Sequence, residues 1–164
     1  AQASNKDKMY SQSIRAYKTL IHYQPDTLNH YIDLAMVYEN NKMYDSSLYW
    51  LNLSLEKDSN NYRAYTKMGE IYGKYYGQLD KSIKYLLKAY SLKPDDAATL
   101  ENLGVAYGIA KNYKESIKYL KLALKYNSDN AQTYSNLSGT YAYMGVRDSA
   151  IYYRKLYEEK LLKK

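Results

Sequence analysis

Tyr38, Tyr72, Tyr107 and Tyr141 recur at intervals of 34, 35 and 34 residues, and blocks of neighbours recur with them. The chain is therefore a tandem array whose unit is too short to enclose a core by itself. A period of this length implies stacking, with each unit burying its apolar side only against the next. Such arrays are usually binding surfaces rather than reaction vessels, so the repeat points to a class of function before any single residue does.

Placing those four tyrosines at position 11 divides the chain into units 28–61, 62–96, 97–130 and 131–164. Residues 9–27 match the second half of a further, incomplete unit. Position 4 holds Tyr31, Tyr65, Leu100 and Tyr134; position 7 holds Leu34, Met68, Leu103 and Leu137; position 8 holds Ala35, Gly69, Gly104 and Ser138. Positions 4, 7, 8 and 11 share one face of a helix. A second helix follows the same logic, with Ser13, Ser47, Ser82, Ser116 and Ala150 at position 20 and Ile14, Leu48, Ile83, Ile117 and Ile151 at position 21. Position 24 carries Tyr17, Leu51, Leu86, Leu120 and then Arg154, while position 27 carries Leu20, Ser54, Ala89, Ala123 and then Tyr157. Small residues at 8, 20 and 27 let helices approach closely, and the serines are expected to bond back to their own preceding turn. Arg154 reads as the polar face of a capping last helix, or of a helix that extends further.

The punctuation repeats too. Pro25 and Pro94 occupy position 32, with Ser59 and Ser128 in the other units, before Asp26-Thr27, Asn60-Asn61, Asp95-Asp96 and Asp129-Asn130. Proline stops the outgoing helix, and Asp, Asn or Thr caps the incoming one. The turn inside each unit falls near Asn40-Asn41, Tyr76-Gly77, Lys111-Asn112 and Gly145. One extra residue at Tyr75-Tyr76-Gly77 accounts for the 35-residue interval.

Composition agrees. The hydrophobic fraction is 46% yet mean hydropathy is −0.70, because 24 residues are Tyr and none is Phe. A Tyr ring packs while its hydroxyl stays wet, which suits a thin structure. Seven Gly and two Pro argue against a β-sandwich or a disordered chain, and no apolar run is long enough for a membrane span. With no Cys there is no disulfide and no thiolate metal site. Net charge is +7, with Arg15, Lys18, Lys84, Lys88, Lys118, Lys121 and Lys125 on second helices, where a solubilising outer face is expected. His22 and His30 lie at a helix end and a helix start without further ligands at metal spacing. No nucleophile–base or paired-carboxylate arrangement and no phosphate-binding Gly-rich loop can be read. Ala1-Gln2-Ala3 resembles a signal-peptidase recognition sequence or an expression remnant. The expectation is one all-helical domain over 1–164, not an enzyme, without cofactor or metal, of undetermined compartment.

These positions resemble the tetratricopeptide repeat family: bulky at 4, Leu at 7, small at 8, Tyr at 11, small at 20, bulky at 24, Ala at 27, Pro at 32. The unit Ala97–Asn130 follows the pattern almost throughout. The resemblance implies an α-solenoid, a right-handed superhelix of about four and a half antiparallel helix hairpins. It also implies a concave groove lined by first helices at positions 2, 5, 6, 9, 12 and 13. Carried over, the partner-binding candidates are Asn29, Asp33, Met36, Asn40, Arg63, Lys67, Glu70, Lys74, Glu101, Asn102, Val105, Ile109, Gln132, Asn136 and Tyr143, with Ile32, Glu39, Thr66 and Ser135 at the same register. Tyr75, Tyr76 and Tyr143 read as rings free for a ligand.

The chaperone-adaptor subtype of the family clamps a C-terminal carboxylate. Its slots here hold Ile32, Met36, Lys67, Ala98 and Asn102, or Thr66, Glu70, Asn102, Gln132 and Asn136; at best one of five matches, so that clamp is rejected. An asparagine ladder at position 6, as in glycosyltransferase-linked repeats, fits Asn102 and Asn136 but not Asp33 and Lys67. The leading expectation is a non-catalytic scaffold that binds a peptide or protein segment. Two alternatives stand beside it: a substrate-selecting or tethering segment of a larger enzyme such as a glycosyltransferase, including an envelope-associated one, and an RNA-binding helical repeat. The 34-residue units disfavour the RNA reading, and nucleic acid is not the expected partner. End-to-end stacking of copies is a further expectation for the oligomeric state.

Overall fold

The computed structural model describes residues 5–162, with side chains from Lys8 onwards; Ala1-Gln2-Ala3 and the last two residues lie outside the described residues. Among these, all regular structure is α-helix. Helix α1 (Asn5–Tyr23) precedes four hairpins: α2 (Leu28–Asn40) with α3 (Tyr44–Lys57), α4 (Tyr62–Lys74) with α5 (Leu79–Leu92), α6 (Ala97–Ile109) with α7 (Tyr113–Tyr126), and α8 (Ala131–Tyr143) with α9 (Arg147–Leu162). Each helix packs on the next in sequence, and the first helices α4, α6 and α8 also touch one another directly. The all-α solenoid expected from the period is what forms. No helix is long and apolar enough to cross a membrane among the described residues.

The seam inside each hairpin sets the fold. A Cβ added to Gly69 would lie 2.5 Å from Leu86 Cγ, and one added to Gly104 would lie 2.5 Å from Leu120 Cγ. Position 8 is thus a socket and position 24 the knob that fills it. Leu51, Leu86 and Leu120 are fully buried in this role, with Leu34, Leu100, Leu103 and Leu137 behind them. Position 20 differs from the reading of its sequence. Ser13 does bond back to Met9 O at 2.9 Å, but Ser82 donates across the seam to Gly69 O at 2.7 Å. Ser116 shares a hydrogen bond with Thr140 at 3.2 Å, and Ser47 Oγ is buried without a partner among the described residues. The close approach of the two helices brings the facing carbonyl nearer than the serine's own turn.

Caps follow the sequence with one exception. Asp96 Oδ2 accepts from Thr99 N at 2.8 Å, and Asn61, Asn112 and Asn130 cap α4, α7 and α8. Thr27 makes no side-chain cap. Turns inside the hairpins run through left-handed residues: Gly77, Gly145, and also Lys42 and Lys111 at φ near +60°, where a Cβ costs roughly 1–2 kcal/mol. The extra residue of the second unit is absorbed between Lys74 and Leu79, leaving the packed faces in register.

The tyrosines are explained by a recurrent stack. Tyr72 lies on Tyr85, Tyr107 on Tyr119 and Tyr141 on Tyr153, each pair within 7° of parallel at 5.4–5.6 Å. Lysine ammoniums sit near these rings: Lys81 at 5.1 Å from Tyr72, Lys118 at 4.9 Å from Tyr119 and Lys121 at 5.9 Å from Tyr141. Tyr31 and Tyr38 are buried, while Tyr65, Tyr72, Tyr107, Tyr134 and Tyr141 are half-buried. Burial raises the pKa of Tyr72, Tyr119 and Tyr153. Tyr76, hydrogen-bonded to Asp45, is pushed up to about 12.

Two outcomes follow from this packing. Gly104→Ala should lower the urea midpoint, with overpacking costing about 1–3 kcal/mol against a helix-propensity gain of about 1. Gly139→Ala, whose Cβ would enter open space, should raise it slightly, by about 0.5–1 kcal/mol. In an alkaline titration read as tyrosinate absorbance, a fraction of the tyrosines should ionise above the ordinary value of 10. Because the folded pKa of these neutral acids is raised, their contribution to stability is intact below pH 10. It should fall away as the pH climbs towards 12.

Candidate groove on the first-helix face

The face carried by α2, α4, α6 and α8 is not uniform. At its start, polar side chains are tied to one another. Arg63 Nη1 donates to Asn29 Oδ1 at 2.6 Å, joining position 2 of successive units. Lys67 Nζ lies 2.8 Å from Glu70 Oε2 and 3.5 Å from Glu39 Oε2. Glu39, buried, also accepts from Tyr75 at 3.3 Å. Burial alone would lower the pKa of Lys67, but its bonds to Glu70 and Glu39 outweigh that and raise it. This cluster occupies the junction between the first and second units. Asp33 is half-buried, Met36 is exposed, and Asn40 sits beside Met9 and Tyr10 of α1 in a separate hollow.

The next two junctions are open. Between α4, α5 and α6 lies a cavity of about 370 Å³, lined by Gly69, Glu70, Gly73, Lys74, Leu79, Ser82, Leu86, Asn102, Val105, Ala106 and Ile109. One unit further, between α6, α7 and α8, lies a second of about 440 Å³, lined by Gly104, Val105, Gly108, Ile109, Lys111, Tyr113, Leu120, Ser135, Asn136, Gly139, Thr140 and Tyr143. The two are the same place in successive repeats. Gly69 corresponds to Gly104, Gly73 to Gly108, Leu86 to Leu120 and Asn102 to Asn136, while Val105 and Ile109 wall both. Position 12 decides whether a junction is open: it is Gly73 and Gly108 at the slots, but Glu39 where the face is filled. Position 8 adds to this, with Gly69 and Gly104 against Ala35. Both volumes fall at the small end of the usual 300–1,000 Å³ for ligand sites.

The predicted residues therefore separate into two groups. Asn102, Val105, Ile109, Asn136 and Tyr143 come together at the slots, with Glu70 and Lys74 at the edge. Asn29, Asp33, Met36, Asn40, Arg63 and Lys67 lie at the filled end. Glu101 is committed to structure, accepting from Asn130 at 2.7 Å and from Asn136 at 3.1 Å. Gln132 donates to Asn136 Oδ1 at 3.1 Å. Asn136 thus uses both ends of its amide internally, whereas the Asn102 side chain makes no hydrogen bond to any described residue.

Four expectations need correction. Ile32, 1% exposed, is core. Thr66 is turned inward and shares a 2.6 Å hydrogen bond with Thr99, because position 5 faces the next unit where the superhelix packs tightly. Tyr75 is not free: its ring stacks on Tyr44 at 4.0 Å and its hydroxyl is bound to Glu39. Tyr76 is likewise engaged by Asp45. Tyr143 alone of the three stands out, 80% exposed, parallel to Tyr113 at 6.4 Å. The residues missed by sequence are Gly73, Gly108, Gly139, Lys111 and Tyr113. Glycine at position 12 of two successive units was a visible signal for the first two.

With this geometry in view, the family model described as Tetratricopeptide repeat matches residues 62–96 and 97–130. Residues 62–130 are tetratricopeptide repeats. The direct match is to the two middle units, those that border the slots, and the flanking units share their fold. Among solved structures, MamA is similar over 99% of this chain and 98% of its own at 21% identity and a TM-score of 0.78. PilW, a widely conserved type IV pilus biogenesis factor, is similar over 94% of this chain and 71% of its own, at 18% identity and a TM-score of 0.85. YrrB, a TPR protein with an unusual peptide-binding site, is similar over 93% of this chain and 78% of its own, at 17% identity and a TM-score of 0.72. Each is a likeness of fold. No curated protein matches the chain.

Proposed function

We propose that this tetratricopeptide-repeat chain is a non-catalytic scaffold whose first-helix groove holds a peptide or protein segment. The observation that carries this reading is the exposure of apolar side chains beside the two slots. Ile109 is 58% and Tyr143 80% exposed on a face whose other end is closed by paired polar groups. Exposed apolar surface beside a preformed concavity marks a place where another molecule sits. The inter-unit bonds of Arg63, Lys67, Glu101 and Asn136 hold the face rigid before binding, so little ordering of the scaffold opposes association. The unusual peptide-binding site of YrrB is consistent with this use of the fold. No observation favours the enzyme-segment alternative. For RNA binding the Tyr stacks offer little, since their faces are already covered by one another.

The test is selection of dodecapeptides from a displayed random library, followed by calorimetry with the winners. Binding should weaken at least tenfold in Ile109→Ser/Tyr143→Ser, about 1.4 kcal/mol, with the circular dichroism spectrum unchanged. No enrichment of any peptide, or undiminished affinity in the double variant, would dismiss the groove as the binding face.

A further inference from the structure

We infer that the two slots act as one ruler, taking an acidic segment in polyproline II conformation that seats two apolar side chains three residues apart. This rests on the groove reading above and specifies its ligand. The slots lie on either side of α6 and share Val105 and Ile109. The span between their centres is therefore about one helix-to-helix distance, roughly 8–10 Å. A polyproline II chain returns a side chain to the same face every third residue, a rise of roughly 9 Å. A β-strand returns one every second residue, roughly 6.6 Å, and then every fourth, roughly 13 Å. Neither strand interval matches.

A helical ligand would also match in length, at an i, i+7 spacing of roughly 10.5 Å. Asn102 decides against it. Its amide stands half-buried in the first slot, with donor and acceptor uncommitted. An amide pairs with the free N–H and C=O of an extended backbone, whereas a helix satisfies those groups internally. The polyproline II backbone makes no bonds of its own and leaves them available.

Charge selects the rest of the segment. Lys74 edges the first slot and Lys111 the second, and neither is in an ion pair with a described residue. Glu70, the acid lining the first slot, shares Lys67 with Glu39, at 2.8 and 3.5 Å. The open slots therefore present Lys111 outside any described ion pair, and Lys74, which lies over the Tyr75 ring at 5.0 Å and feels Glu70 and Glu39 only at longer range, within a chain of net charge +7. Carboxylates flanking the anchors would meet them, and encounter would be steered by the surrounding field.

The experiment uses labelled synthetic peptides in an Asp/Pro/Gln background, each bearing two leucines separated by two to seven positions, titrated into the whole chain by fluorescence anisotropy. The i, i+3 peptide should bind at least tenfold tighter than the i, i+2 and i, i+4 peptides. Its affinity should drop severalfold when Asp is replaced by Lys, and again when salt is raised from about 50 to 300 mM. Gly139→Leu, which enters open space at the second slot, should abolish the spacing preference while leaving weak one-anchor binding. Tightest binding at i, i+7, or binding that Ile109→Ser/Tyr143→Ser removes but that ignores spacing, would overturn the ruler and leave the groove standing. If no peptide of the series binds at millimolar concentration while library-selected peptides do, the ruler alone fails; if neither set binds, both readings fail.

Discussion

The structure depends on one contact, the insertion of a position-24 leucine into the space a position-8 glycine leaves empty. At Gly69–Leu86 and Gly104–Leu120 the separation leaves no room for a Cβ unless the leucine gives way. Because each unit is only two helices, there is no second layer to compensate for a looser fit. The seam fixes how far apart the helices of a hairpin stand, and hence how the next hairpin docks. Everything downstream, including the width of the spaces between first helices, inherits that distance.

The same close approach rearranges the polar chemistry. Ser82 reaches the opposite helix's carbonyl instead of its own, and Thr66 and Thr99 meet across a unit boundary in a buried hydroxyl pair closed by Asp96. These bonds join what the leucines press together. The tyrosine stacks do comparable work nearer the surface. There a ring must be covered on one side and wet on the other, and Tyr serves where Phe would leave an apolar edge in water.

Periodicity made the fold legible almost completely, since small and large residues repeat at fixed spacing and the inserted residue is visible in the turn. The lining of the two slots was legible in part. Asn102, Val105, Ile109, Asn136 and Tyr143 followed from their register on first helices. What register could not tell was rotation: Ile32 and Thr66 share the groove positions yet turn into the core, because packing between units rolls position 5 inward. Nor could it tell commitment. Asn102 and Asn136 are the same residue at the same position, and only Glu101 and Gln132, one unit back and one turn back, make the second unavailable. The slots were hard to see because they are made by glycines, whose contribution is the absence of atoms, and because closure at the first junction depends on Glu39, Lys67 and Tyr75 from different units meeting in space.

That closure has a meaning for a repetitive surface. An array of identical seats would let a bound chain slide by one unit at little loss, so that no single alignment is preferred. By occupying the first seat with its own carboxylate, lysine and phenol, the molecule removes that translational degeneracy. On the proposed groove reading, an incoming segment would have a defined origin from which to be read, and the array would gain a direction that its periodicity alone does not supply.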